Sequence, residues 1–246
     1  FSFDVYSPYA PLDQDISPRS HMERIYDACR DYAYEFSPRS GNLLLSGDPG
    51  LGKTFLSACI ARVVSETGHS VVYDTAAHIF ERFEAQKFSR DETGGADEDV
   101  SRLLRCDLLI IDEISMVRSD LLDAVDDTLR RLRRNPQPFG GVQLMMIGGL
   151  QQLAPVVTAR DEELMQHYYS TPYFFGSRAL AKINYVTVGL TKVFRQQNRE
   201  FVSLLNHVRD GRLTGDDMRR LSTLFRPDFA PEPDQGYIRL TTHNRL

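Results

Sequence analysis

The stretch Gly47-Asp48-Pro49-Gly50-Leu51-Gly52-Lys53-Thr54 constrains this chain more than any other, because it satisfies every fixed position of the pattern G-x-x-x-x-G-K-[ST]. It follows Asn42-Leu43-Leu44-Leu45-Ser46, an apolar run of the length of a buried strand, and it leads into helical material from Phe55 to Val64. A glycine-rich turn between a strand and a helix points successive backbone N–H groups inward and adds the positive end of the helix dipole. That is a cradle for phosphate. Lys53 supplies positive charge for the β and γ phosphates and Thr54 supplies a hydroxyl for Mg²⁺, so ATP and Mg²⁺ are the expected ligands. Such a turn can also be purely structural, but here both flanks agree with the cradle.

The second half of a nucleotide site follows at Leu108-Leu109-Ile110-Ile111-Asp112-Glu113. Four apolar residues predict a strand buried on both faces, and the carboxylates fall at its C-terminal end, where open α/β sheets place their ligands. In a P-loop ATPase the first carboxylate, Asp112 here, holds Mg²⁺ through water. The second, Glu113, can orient and deprotonate the attacking water. An apolar run ending in Asp-Glu is common by itself; its place downstream of the cradle gives it meaning. Val142-Gln143-Leu144-Met145-Met146-Ile147 predicts another buried strand, which runs into Gly148-Gly149-Leu150-Gln151-Gln152. A polar side chain at that strand end can touch the γ-phosphate, and Gln152 is the candidate.

Of the 246 residues 41% are hydrophobic and 26% charged, which describes a globular chain with core enough for one large domain or two small ones. No apolar run reaches the roughly 18 residues of a membrane span, and no export signal opens the chain, so a cytoplasmic protein without membrane contact is expected. Cys29, Cys59 and Cys106 are odd in number and lack ligand spacing, which fits reduced thiols and gives no metal site. A net charge of -5 does not advertise a nucleic-acid binder, so any DNA contact rests on local patches.

The remaining pattern predicts an extended arm over 1–20, rich in proline, then a helix from His21 to Phe36. A short strand at Val71-Val72-Tyr73, a helix over 76–88 and an acidic loop from Ser89 to Asp99 come next. Ser119 can cap a helix running to Arg134, with Arg130, Arg131, Arg133 and Arg134 in its last turn. Those arginines read either as a DNA-phosphate patch or as a solvated helix end. The aromatic stretch Tyr168 to Phe175 reads as core packing or as a base-stacking platform. Later come a strand at Tyr185-Val186-Thr187-Val188, helices near 199–210 and 214–225, and a last strand at Tyr237 to Thr241.

Two families are resembled, and they are different ones. From about Phe3 to Asp112 the chain is similar to bacterial DnaC-type helicase loaders and IstB-like ATPases. Ile16-Ser17-Pro18-Arg19, Tyr34-Glu35-Phe36, the cradle with its strand, Val71-Val72-Tyr73 and Cys106 to Asp112 carry that likeness. From Asp112 onward it resembles the Pif-family DNA helicases of superfamily 1. There the likeness rests on Asp112-Glu113-Ile114-Ser115-Met116-Val117, Pro138 to Leu144, Gln152-Leu153, Tyr173-Phe174-Phe175, Phe194-Arg195-Gln196 and Leu240 to Asn244. The chain thus looks like a chimera whose boundary lies in the Asp-Glu strand that both families share.

The resemblance implies an α/β fold: a RecA-like or AAA-type parallel sheet flanked by helices over 21–188, with the start of a second RecA-like domain over 189–246. It implies Glu113 as catalytic base, Gln152 as γ-phosphate sensor and Arg195 as the arginine that stabilises transferred charge. Two departures stand out: Gly148-Gly149 where helicases have Gly-Asp, and Ala154-Pro155 where they have Pro-Pro. The second-domain motifs of such helicases are not reached before Leu246, so unwinding by this chain alone is not expected. Three functions remain open: a DNA-dependent ATPase of helicase type acting on single strands, a loader that binds a replicative helicase and single-stranded DNA, and a recombined fragment that only binds nucleotide.

Overall fold

The computed structural model describes residues 3–9, 16–75, 77–82, 98–150, 152–190, 198–230 and 235–238. Its contacts divide the chain into two units, Phe1–Arg195 and Gln196–Leu246. In the first, strands β1 (Asn42–Gly47), β2 (Val71–Thr75), β3 (Leu108–Asp112), β4 (Gln143–Gly148) and β5 (Tyr185–Leu190) form one sheet in the order β2-β3-β4-β1-β5. Every neighbouring pair is parallel. All five strands therefore end on one side, and the segments leaving β1, β3 and β4 converge there. This is the α/β architecture expected of a P-loop ATPase.

Alternation along the strands builds a core on each face of the sheet. Leu45, Leu108, Ile110, Met145 and Ile147 pack against α1 (Pro18–Tyr34) and α2 (Lys53–Glu66) through Met22, Ile25, Leu56 and Ile60. Leu109, Ile111, Leu144 and Met146 face the other way, onto Leu103 of α3 (Glu98–Arg105) and Leu122, Val125 and Leu129 of α4 (Ser119–Arg133). Each such side chain contributes about 1.5–3 kcal/mol when fully withdrawn from water. Cys29 and Cys106 are free thiols inside these cores, and burial pushes their pKa values up to about 11 and about 12.

Several boundaries differ from the sequence pattern. Helix α1 begins at Pro18, not His21: Ser17 accepts the Ser20 N–H, and a proline at the first helical position sacrifices no bond. Upstream, Phe3–Val5 forms a 3₁₀ turn and Tyr6 is 4% exposed, so this part of the expected extended arm is tied to the core. Residues 77–82 are helical, whereas the rest of the expected helix and most of the acidic loop lie outside the described residues. The end of that loop, Glu98 and Asp99, instead opens α3, a short helix whose fully buried Leu103 ties it to the sheet. Ser119 does not cap α4. Arg118 occupies the cap, and the Ser119 hydroxyl donates to the Thr171 carbonyl. Helix α5 (Ala159–Tyr168) was not legible, because Met165 is its only buried residue among those described.

The second unit contains α6 (Arg199–Arg209) and α7 (Gly215–Leu224), close to the expected helices. Thr214 and Asp217 form a capping box at α7, and Asp217 also accepts from His207 Nδ1 at 2.8 Å. The expected last strand is not formed at Tyr237 and Ile238, which are exposed, and residues 239–241 lie outside the described ones. No helix among the described residues is long and apolar enough to cross a membrane.

Candidate nucleotide site

Strand β1 runs out at Gly47, and α2 starts at Lys53 with Gly52 as a left-handed N-cap, φ 90°. At Gly47, φ is 137°, and a Cβ would collide with the Leu190 carbonyl at the end of β5 and with the Leu51 side chain. Only glycine lets the loop pass so close to the neighbouring strand. Leu51 is 2% exposed and anchors the loop beside a narrow cavity lined by Tyr6, Pro18, Met22, Ile25 and Leu190. Asp48, Pro49 and Gly50 complete the turn. Lys53 is buried, and its Nζ donates to the carbonyls of Gly47 and Asp48, both at 2.8 Å. The ammonium is thereby held within the loop that would receive phosphate.

The end of β3 meets this cradle. Thr54 Oγ1 donates to Asp112 Oδ2 at 3.2 Å, and the Tyr73 hydroxyl donates to the same oxygen at 2.9 Å. Asp112 Oδ1 accepts the Glu113 N–H at 2.9 Å. A hydroxyl beside a carboxylate suits a small, hard cation that takes its other ligands from water and phosphate, so Thr54 and Asp112 fit Mg²⁺. Burial pushes the Tyr73 phenol up to about 12, and its bond with Asp112 adds to that rise. It is therefore a neutral donor throughout the physiological range.

Glu113 adopts a left-handed backbone, φ 56° and ψ 38°. This conformation costs a non-glycine residue about 1–2 kcal/mol. The turn sends Ile114 into the core, fully buried, while leaving the Glu113 side chain exposed. At the end of β4, Gly148 makes room for that turn and Gly149 makes room for the phosphate loop. A Cβ on Gly148 would lie 2.9 Å from Ile114 Cγ2 and 3.1 Å from the Ser115 nitrogen, and one on Gly149 would strike the Gly47 carbonyl. Without a side chain at Gly149, β4 closes directly on the phosphate loop. The same Gly149 Cβ would be 3.1 Å from Gln152 Oε1, an atom that is buried without a hydrogen-bond partner among the described residues. Gln152 is therefore beside the cradle. Arg195 lies outside the described residues.

The arginine cluster of α4 is divided. Arg133 donates to the carbonyls of Gly140, Leu104 and Cys106, and Arg130 pairs with Asp126 at 3.4 Å, so both are structural. Arg131 and Arg134 are exposed. In the aromatic stretch Phe174 is core, whereas Tyr173 and Phe175 stack on each other at 5.4 Å. Sequence reasoning missed Tyr73 and Ser57 as parts of the site. The signal for Tyr73 was its place two residues before the end of β2, but only the register with β3 gives that place meaning.

A family model described as a PIF1-like helicase matches residues 87–219, and one described as an IstB-like ATP binding protein matches residues 28–127. The two matches overlap from 87 to 127, so the likenesses share β3 and do not meet at a point. The ATP-dependent DNA helicase RRM3 of Saccharomyces cerevisiae is 40% identical over 124 residues, 50% of this chain and 16% of that protein. The ATP-dependent DNA helicase PIF1 of Xenopus laevis is 31% identical over 196 residues, 73% of this chain and 29% of that protein. The chain therefore spans less than a third of the length of these relatives. The crystal structure of a Bacteroides Pif1 helicase with ADP-AlF3 and single-stranded DNA superposes with a TM-score of 0.73 and 30% identity, covering 93% of this chain and 55% of that one.

Proposed function

This chain belongs to the PIF1-like helicase family, and on that premise we propose that it binds Mg-ATP in the Gly47–Thr54 cradle and hydrolyses it as a DNA-stimulated ATPase. The observation that carries the reading is the meeting of Lys53, Thr54 and Asp112 at the ends of adjoining elements, with Glu113 next in the chain. Backbone N–H groups of the loop and the Lys53 ammonium bind the β and γ phosphates. Thr54 and Asp112 would hold Mg²⁺, which when bound neutralises charge on those phosphates. Glu113 orients the attacking water and accepts its proton. Gln152 contacts the γ-phosphate with its carboxamide, and Arg195 stabilises the charge of the transferred group. Arg131 and Arg134 would meet DNA phosphates, and the buried reduced thiols suit a cytoplasmic protein.

Single-stranded DNA is the proposed partner because the similar Bacteroides Pif1 was crystallised with it. A second reading, favoured by the IstB-like match over residues 28–127, is an ATP switch that docks on a replicative helicase. The test is steady-state ATP turnover by the purified chain, alone, with a single-stranded oligonucleotide, and with a hexameric helicase. Turnover raised at least tenfold by the oligonucleotide alone is expected. Stimulation only by the hexamer would transfer the case to the second reading, and failure to bind nucleotide at all would overturn both.

A further inference from the structure

Resting on the proposed Mg-ATP reading, we propose that Tyr73 is a positioning residue for the magnesium site, fixing the Asp112 carboxylate before the ion arrives. Strand register brings it there. Tyr73 pairs with Ile110 and Thr75 with Asp112 in the parallel β2–β3 ladder. Residues two apart on a strand share a face, so Tyr73 stands on the same face as Asp112, toward α2. Its hydroxyl reaches Asp112 Oδ2 at 2.9 Å and sits 3.0 Å from the Ser57 hydroxyl, which lies one turn beyond Lys53 and is fully buried. Ser57 Oγ is in turn 2.9 Å from the Thr54 carbonyl.

The consequence is a closed polar network around the two metal-binding groups. Asp112 Oδ1 takes the Glu113 N–H, and Oδ2 takes the hydroxyls of Thr54 and Tyr73. Thr54 can give its proton to Asp112 and keep a lone pair for the ion. Without the phenol, Oδ2 would be held only by the longer Thr54 bond at 3.2 Å, so the carboxylate would be less firmly oriented although Oδ1 keeps the Glu113 N–H. Outer partners of this kind typically change metal affinity by about 10–100-fold. Packing alone does not account for the arrangement, because a phenylalanine would fill the same space against α2 and leave Asp112 short of a donor.

The test is Tyr73→Phe, which removes one oxygen and keeps the ring. A fluorescent ADP analogue is titrated into wild type and variant, first in EDTA and then across a Mg²⁺ series, and Mn²⁺ binding in the presence of ADP is followed by electron paramagnetic resonance. We expect unchanged affinity in EDTA, a Mg²⁺ midpoint raised about tenfold, and a matching loss of Mn²⁺ affinity. Circular dichroism melting of both proteins identifies any general loss of folding. An unaltered Mg²⁺ midpoint, or an equal loss with and without the ion, would overturn the role of Tyr73. If wild type itself fails to bind the analogue, the Mg-ATP reading is what fails.

Discussion

At the scale of single residues, the site concentrates its strain in Glu113 and its tightest contacts in two glycines. Glu113→Gln keeps the left-handed turn and the hydrogen bond to Asp112, so ATP affinity should hold while turnover falls about a hundredfold, as expected for loss of a positioned base. Single-turnover hydrolysis beside equilibrium binding would check this, and undiminished turnover would remove Glu113 from the chemistry. Glu113→Gly should be inactive too, yet as stable as wild type or up to about 1 kcal/mol more stable, because glycine adopts φ 56° freely. A clear loss of stability in urea would mean the turn is not strained. Gly149→Ala acts on the opposite side of the cradle. Its methyl would displace the Gly47 carbonyl that holds Lys53, so overpacking should cost about 1–3 kcal/mol and weaken ADP binding together. The motif pattern made Gly47 to Thr54 and Asp112-Glu113 legible, but the reason for Gly148-Gly149 is a contact across three strands, which no local pattern encodes.

Among elements, α4 is tied down by a carboxylate that the sequence left unremarked. Asp123 accepts from the Tyr169 hydroxyl, the Ser177 hydroxyl and the Ala179 N–H, at 3.0, 2.5 and 2.9 Å, and so fastens the segment after α5 to α4. Asp123→Ala should cost about 2–3 kcal/mol, since a partly buried hydroxyl and N–H lose a charged acceptor together. Chemical denaturation measures it, and a loss within about 0.5 kcal/mol would show the contacts to be dispensable. In the second unit, the Asp217 carboxyl is held down at about 2, chiefly by the Thr214 hydroxyl and N–H, and further by His207. A depressed carboxyl stabilises above its unfolded value, near 4, and that contribution disappears as pH falls through about 2. Amide protection in α7 should therefore decline between pH 4 and 2, and Asp217→Asn should abolish that pH dependence. The two helices themselves were readable from their spacing. The last strand was not realised at Tyr237 and Ile238, because alternation predicts a strand only where another strand offers it hydrogen bonds.

For the molecule as a whole, the decisive fact is how the two family likenesses interleave. The IstB-like part supplies β1, β2 and β3, but β1 lies between β4 and β5, both of the helicase-like part. Cutting the chain after Asp112 would strip β1 of both neighbours and open both cores. Residues 1–112 and 113–246 expressed separately should therefore be unfolded by circular dichroism, whereas a stable isolated half would show the join to be a true domain boundary. Because the cradle is assembled from the ends of β1, β3 and β4, nucleotide should stabilise the first unit as one body. ATP at about a thousand times its dissociation constant adds about 4 kcal/mol, a gain that Lys53→Ala should largely remove and that thermal melting would detect. By itself the sequence determined the phosphate-loop motif, the Asp-Glu pair at a strand end, the buried strands and the likeness to two families, since these depend on residue type at fixed local spacing. It could not determine strand order, the Tyr73 contact, the fit of Gly149 under Gly47, or the division of the arginines into structural and exposed. Those depend on which distant segments lie side by side, and that is settled only when both faces of the sheet are buried at once.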